Sequence, residues 1–161
     1  MTATDLHPMS PAPDPVFREI VHGSTDYRRA CELRDTLLRR PLGLAFSPEE
    51  LQAESAQWHF GLFAGDALLA CLSAVPAGTG EVKLRQIAVR PDAQGRGFGR
   101  IIMERSESEL VRRGCTEAWL HARAEAVGFY ARLGYETEGD EFLELGIRHR
   151  TMWKHLPATG R

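Results

Sequence analysis

Three glycines in alternate positions, Gly95, Gly97 and Gly99, stand between the apolar run Ile87-Ala88-Val89 and a segment of helical apolar spacing that begins at Phe98. Glycine costs about 0.5–1 kcal/mol relative to alanine inside regular structure, so such a cluster marks a place where the backbone needs positive φ or something must approach it closely. A buried strand running into this turn at a helix start aims several backbone N–H groups one way, with the positive end of the helix behind them. That is an anion cradle, to which Arg96 and Arg100 could add charge-assisted bonds. The simpler alternative is a tight turn with solvated arginines. Two phosphate loops are excluded by residue identity. A dinucleotide fingerprint starting at Gly95 or Gly97 needs glycine at position 100 or 102, where Arg100 and Ile102 stand, and no Gly-Lys-Ser/Thr follows.

The rest of the chain supplies the elements around this turn. Val16–Val21 reads as a strand, followed by a helix capped at Ser24, with Tyr27, Ala30, Cys31, Leu33, Leu37 and Leu38 recurring at helical period and Pro41 as its stop. Ser47-Pro48-Glu49-Glu50 has the capping-box pattern of a short second helix. Trp58–Ala64 and Ala67–Val75 form a hairpin, Pro76–Gly80 a loop, and Glu81–Arg90 a strand closed by Pro91-Asp92. The helix from Phe98 shares an apolar face among Phe98, Ile101, Ile102, Met103 and Leu110 through small Ser106, and ends at Arg112-Arg113-Gly114. Thr116–Ala122 is a further strand. Ala126, Phe129, Tyr130 and Leu133 make a one-faced helix capped by Gly134, and two strands near Tyr135–Glu138 and His149–His155 complete the set. The order βααβββαβαββ predicts an α/β fold, a mixed sheet with helices on both faces.

Length and composition narrow the function classes. The 161 residues suit a single domain at 16–157, preceded by a disordered Pro-rich tail at 1–15 and followed by a short tail at 158–161. A formal charge of -2 offers no overall field for nucleic acid or anionic membrane, and Asp92, Glu104 and Glu107 interrupt the basic patch at Arg96 and Arg100. No nucleic-acid partner is expected. Phe60–Ala77, the most lipid-like stretch, is broken by Gly65-Asp66 and Pro76, so no membrane partner is expected either. Cys31, Cys71 and Cys115 are odd in number and widely spaced, which argues against a disulfide framework or a metal cluster and suits a cytoplasmic setting.

The segment Gln94-Gly95-Arg96-Gly97-Phe98-Gly99, directly after the strand Arg85–Val89, resembles the acetyl-CoA loop Gln/Arg-x-x-Gly-x-Gly/Ala of the GNAT acetyltransferases. The resemblance extends over roughly residues 17–156. His121-Ala122-Arg123, the run AVGFYARLGYE at 126–136 and the pattern F-x-E-x-G-I-x-H-x-x-M from Phe142 to Met152 are similar to a small bacterial branch that includes the ElaA-like proteins. Arg148 stands where that branch commonly has proline. The resemblance implies a mostly antiparallel sheet splayed around its fourth strand. It also implies acetyl-CoA as cosubstrate, with the pantetheine arm bonding to the backbone of Ile87, Ala88 and Val89 and the pyrophosphate over Gln94, Gly95, Arg96, Gly97, Phe98, Gly99 and Arg100. The implied acceptor is an amine on a small molecule or peptide, and a homodimer is compatible with the family.

Acetyl transfer from a thioester to an amine needs orientation, a neutral amine, oxyanion stabilisation and a proton for the leaving thiolate. On helical spacing alone Tyr130 reads first as a core aromatic beside Ala126 and Phe129; the resemblance reverses that, since it matches the family tyrosine that faces the sulfur. The base is open among Glu81, His121, Glu144, His149 and a water relay. Cys71 and Cys115 sit in apolar strands without an activating partner, which disfavours an acetyl-cysteine route. An acceptor pocket is expected between Leu33–Phe46 and Phe142–His149, with Leu42, Leu44 and Phe46 as an apolar wall and Glu144 as an anchor for a cationic amine. A module that binds or senses acetyl-CoA without catalysis is the alternative function.

Overall fold

Local sequence signals set most of the elements in the computed structural model, which describes residues 14–157. Strand β1 spans Val16–Ile20 and helix α1 Thr25–Arg34, with the Ser24 hydroxyl accepting from the Tyr27 amide at 3.1 Å. Pro41 does not stop this helix. The winding continues through a wide turn at Asp35–Arg39 and a tight one at Arg40–Leu42, in whose first turn a missing proline N–H costs nothing. Gly43, at φ +71°, ends it. Helix α2 at Pro48–Ala53 carries the full reciprocal box between Ser47 and Glu50. Then follow β2 Trp58–Ala64, β3 Ala67–Ala77, β4 Glu81–Val89, α3 Phe98–Arg112, β5 Glu117–Arg123, α4 Val127–Arg132, β6 Glu136–Glu144 and β7 Ile147–His155. The last two strands run longer than their sequence pattern suggests, meeting at a tight turn through Leu145 and Gly146, both at positive φ. Of the tail readings, residues 1–13 and 158–161 lie outside the described part.

All seven strands form one sheet in the order β1-β2-β3-β4-β5-β7-β6, antiparallel except for the β4–β5 pair. Two irregularities in the middle of this sheet shape everything that follows. Between the pairs Cys71↔Ala88 and Ser73↔Arg85, β3 has one residue and β4 has two, so β4 carries a bulge at Gln86, whose φ is +55°. The extra residue exchanges the two faces of the strand. Val82 and Leu84 point to the core that also holds Ile102, Met103 and Leu110 of α3, whereas Ala88 joins the smaller core under α1 with Ile20, Tyr27 and Ala30. The second irregularity is that β4 and β5 pair only from Glu81↔Glu117 to Leu84↔Leu120. Beyond these pairs both strands continue without each other, to Val89 and Arg123, and the sheet opens in a V.

Helix α1 and its continuation are pinned by a buried polar network that the helical pattern did not reveal. Arg34, 1% exposed, forks onto Glu54 with bonds of 2.8 and 2.6 Å, and the Tyr27 hydroxyl donates to the same carboxylate at 2.6 Å. His59 bridges the Glu54 carbonyl and the Ser73 hydroxyl. Removing one partner from such a pair strands a buried charge, so Arg34→Leu is expected to lose about 3–5 kcal/mol of stability in urea titrations. Burial pushes the Glu54 carboxyl up, but the bonds from Arg34 and Tyr27 and the charges of Arg34 and His59 outweigh it and hold it below its ordinary 4.5. Burial likewise holds the His59 imidazole below its ordinary 6.5. Both folded values are depressed, so both contributions are present at neutral pH and lost on acidification. Stability is expected to decline first below about pH 6.5, where an unfolded His59 takes up a proton, and again below about pH 4.5 as Glu54 protonates. A unfolding free energy that stays flat from pH 7.5 to 3.5 would contradict this account.

Candidate active site

At the end of β4 the chain turns through Pro91–Ala93 into the glycine segment, and the Gln94 side-chain amide donates to the Val89 carbonyl at 3.1 Å, closing the turn against the strand. Gly95 and Gly97 have φ of +77° and +86°, and a Cβ built on either meets nothing within 4 Å. Gly97 is the N-cap of α3 and offers no side chain to the first-turn amides, so among the described residues the N–H groups of Phe98, Gly99 and Arg100 have no capping side chain, as at any uncapped helix start. A concave backbone surface with spare donors and no side chain in the way fits a phosphate group. Gly99 differs from the expectation of three equivalent glycines. It is helical, and its Cβ would lie 3.2 Å from Phe129, so this glycine serves the contact of α3 with α4. The Arg96 guanidinium lies 5.3 Å from the Phe98 ring centre, and exposed Arg100 pairs loosely with Glu104 at 4.0 Å.

The V between β4 and β5 opens into a cavity of about 430 Å³. Tyr130 and Ala126 line it from the α4 side of the sheet, and Leu38 and Arg39 from the α1 side, so the cavity passes through the gap from one face to the other. Arg85, Gln86 and Ile87 form one wall, His121 and Arg123 the other, and Glu144, Leu145, Ile147 and His149 close the end. Ile87, Ala88 and Val89 keep a β5-facing edge without a strand partner, which leaves backbone groups for an extended ligand. Tyr130 is 9% exposed, stands edge-on to Phe129 and Tyr135, and takes part in the core as its helical spacing implied. It also lines the cavity wall. Burial pushes its phenol up to about 12, so it is protonated at neutral pH and keeps a proton to donate.

The candidate bases separate by position. Glu81 is exposed at the start of β4 and does not reach the cavity. His121 Nδ1 lies 2.8 Å from Glu144 Oε1, so its proton on that nitrogen leaves Nε2 as an acceptor. His149, buried and stacked on Phe142, is similarly tied through Nδ1 to the Ile147 carbonyl at 2.7 Å. Partial burial pushes the Glu144 carboxyl up, but the His121 bond and the charges of His121, His149 and Lys83 leave it below its ordinary value. Leu42, Leu44 and Phe46 do not line the cavity. Phe46 is instead covered by the guanidiniums of Arg34 and Arg39, at 4.6 and 4.2 Å, and Leu38 and Arg39 take the expected place of the wall. Cys71 is buried with its thiol pushed up to about 12, and burial raises the Cys115 thiol as well, so neither is a ready nucleophile. Sequence reading missed Lys83, Arg85 and Arg123, although the alternating cations Lys83 and Arg85 on an otherwise apolar strand were a usable signal.

Comparison with known proteins agrees with this geometry. The acetyltransferase (GNAT) domain family matches residues 44–156. A candidate acetyltransferase of Bacillus subtilis is 30% identical over 138 residues, covering 80% of this chain and 89% of that protein. The uncharacterized protein YyaT of the same organism is 35% identical over 88 residues, which is 50% of this chain and 60% of YyaT, less than two thirds of its length. Among solved structures, a candidate N-acetyltransferase from Lactobacillus plantarum superposes with a TM-score of 0.77 at 22% identity, covering 88% of this chain and 99% of that one. ElaA of Escherichia coli gives 0.74 at 16% identity with 87% and 99% covered, and an aminoglycoside 6'-N-acetyltransferase complexed with coenzyme A gives 0.75 at 14% with 91% and 99%. These three likenesses are of fold, and none of them stands apart from the others.

Proposed function

The chain belongs to the GNAT acetyltransferase family, and from that premise we propose that it moves the acetyl group of acetyl-CoA directly onto the nitrogen of an amine acceptor in a ternary complex. The observation that carries this reading is the slot between β4 and β5, which joins the glycine cradle's side of the sheet to a polar cavity on the α1 side. Gly95, Arg96, Gly97 and the amides of Phe98, Gly99 and Arg100 would hold the pyrophosphate, with Gln94 bracing the turn. The open edge at Ile87, Ala88 and Val89 would align the pantetheine so that the thioester lies in the slot beside Tyr130. The ElaA-like branch is part of this proposal and rests on the motifs between His121 and Met152.

In this arrangement His121, oriented by Glu144, accepts the proton of the attacking amine directly or through a water, while His149 remains a second acceptor at the end of the cavity. The N–C bond forms, the C–S bond breaks, and the sulfur leaves as a thiolate next to the Tyr130 hydroxyl. A phenol at about 12 is a weaker acid than a thiol near 9, so complete transfer from Tyr130 is uphill by roughly 4 kcal/mol. Its contribution is therefore a hydrogen bond that stabilises the developing thiolate, which takes its final proton from solvent or from the imidazolium.

Thermal unfolding with and without CoA, followed by acetyl-CoA consumption over a panel of amines, tests this reading. Stabilisation by CoA with turnover supports it, and stabilisation without turnover of any amine points to the binding module instead. Glu144→Gln keeps an acceptor for His121 but removes the charge beside it. We expect turnover to fall about tenfold, with the KM for acetyl-CoA nearly unchanged. Unchanged turnover would assign the base to His149 or to water.

A further inference from the structure

Four cations line the cavity, Arg39, Lys83, Arg85 and Arg123, against one carboxylate, Glu144. This local excess lies in a chain whose formal charge is -2, and it is assembled from three separate elements: the winding after α1, the strand β4 and the strand β5. Arg39 is partly met by Glu50 at 3.6 Å, and Glu144 is committed to His121. Lys83, Arg85 and Arg123 have no carboxylate within 4.0 Å among the described residues. Lys83 instead lies over the Trp119 ring at 4.9 Å, and burial together with the charge of Arg85 depresses its ammonium. Cations gathered on a concave wall without counter-charges repel one another and favour an anion between them.

The cofactor's phosphates do not account for this charge. Lys83 and Arg85 precede the bulge at Gln86, whereas the glycine cradle follows the other end of β4. Arg85 to Val89 alone is about 13 Å of strand at roughly 3.3 Å per residue, before the turn to Gly95 begins. Lys83 and Arg85 belong to the half of the slot left for the acceptor, and Arg123 joins them on the cavity lining.

We infer, resting on the transferase reading above, that the acceptor is a small amine carrying an anionic oxyacid group, a carboxylate or a phosphate, which Lys83, Arg85 and Arg123 receive while the amine reaches the slot. This replaces the expectation of a cationic amine anchored on Glu144. A polycationic acceptor would meet a wall of its own charge sign, so polyamines and aminoglycosides are expected to be poor acceptors.

The test uses matched pairs with the intact chain: β-alanine against its amide, phosphoethanolamine against ethanolamine, and spermidine as the polycation. Acetyl-CoA consumption is one readout, and the unfolding temperature in the presence of CoA is the other. We expect the anionic member of at least one pair to exceed its neutral partner tenfold or more in kcat/KM, with the pair that responds telling carboxylate from phosphate. Arg85→Gln and Arg123→Gln should each raise the KM for that anionic amine about tenfold and leave the KM for acetyl-CoA unchanged, with the CoA-induced stabilisation retained as evidence of folding. Equal or better use of neutral or polycationic amines, or an anion preference that survives both substitutions, overturns the inference. So does CoA stabilisation with turnover of other amines but no anionic amine bound or acetylated, which leaves the transferase reading standing. Absence of stabilisation by CoA overturns that reading and this inference with it.

Discussion

Gly97→Val is expected to lose CoA binding by at least about 100-fold, because two charge-assisted bonds to backbone amides at roughly 1.5–3 kcal/mol each already exceed that factor. At this position the Cβ would project into open space at the N-terminus of α3, where the phosphate is proposed to sit. A β-branched residue at φ +86° also strains the turn by about 1–3 kcal/mol, so folding must be separated from binding. Gly97→Ala provides that separation, since it adds the same obstruction with less strain. Calorimetry on both variants, alongside circular dichroism, should show folded proteins with little affinity for CoA. Unchanged affinity in the alanine variant would remove the phosphate from this turn.

Tyr130→Phe is expected to keep the fold and the CoA affinity but to lower kcat about 10²-fold, the usual worth of one donor aimed at developing negative charge. The ring makes the core contacts with Phe129 and Tyr135, and the hydroxyl makes no hydrogen bond among the described residues, so its removal leaves no partner stranded. A free phenol on a cavity wall is dispensable to packing and available to chemistry. Single-turnover measurements isolate the transfer step from product release. Wild-type rates there would return Tyr130 to a purely structural role.

Most of the elements were legible because their signals are local. Ser24 and Ser47 announce helix starts through their own hydroxyls, and the Gly65-Asp66 turn ends two apolar strands that pair as read. The winding beyond Arg34 was misjudged at Pro41, since proline forbids a helix interior but not a first turn, and sequence cannot tell which of these a new tight turn will supply. The Arg34–Glu54 pair was invisible for a different reason: the partners are twenty residues apart, and only packing of α1 over the Glu54 turn makes them neighbours.

The candidate site divides along the same line. Residue identity by itself marked the glycine turn at the helix start, because glycine permits the positive φ that Gly95 and Gly97 adopt and needs no distant partner to do so. It also determined that Tyr130 lies on the buried stripe of its helix. The bulge at Gln86 and the parting of β4 from β5 after Leu84 and Leu120 were decided by the tertiary structure alone. Strand pairing is settled between chain segments, and one extra residue in β4 reverses which side chains face which side of the sheet. That reversal puts Ala88 under α1 and leaves Lys83 and Arg85 on the cavity side, while the order β5-β7-β6 lets His121 meet Glu144 across strands separated in sequence. Charges that read as ordinary alternation along a strand became the wall of a binding site because the sheet opened beside them.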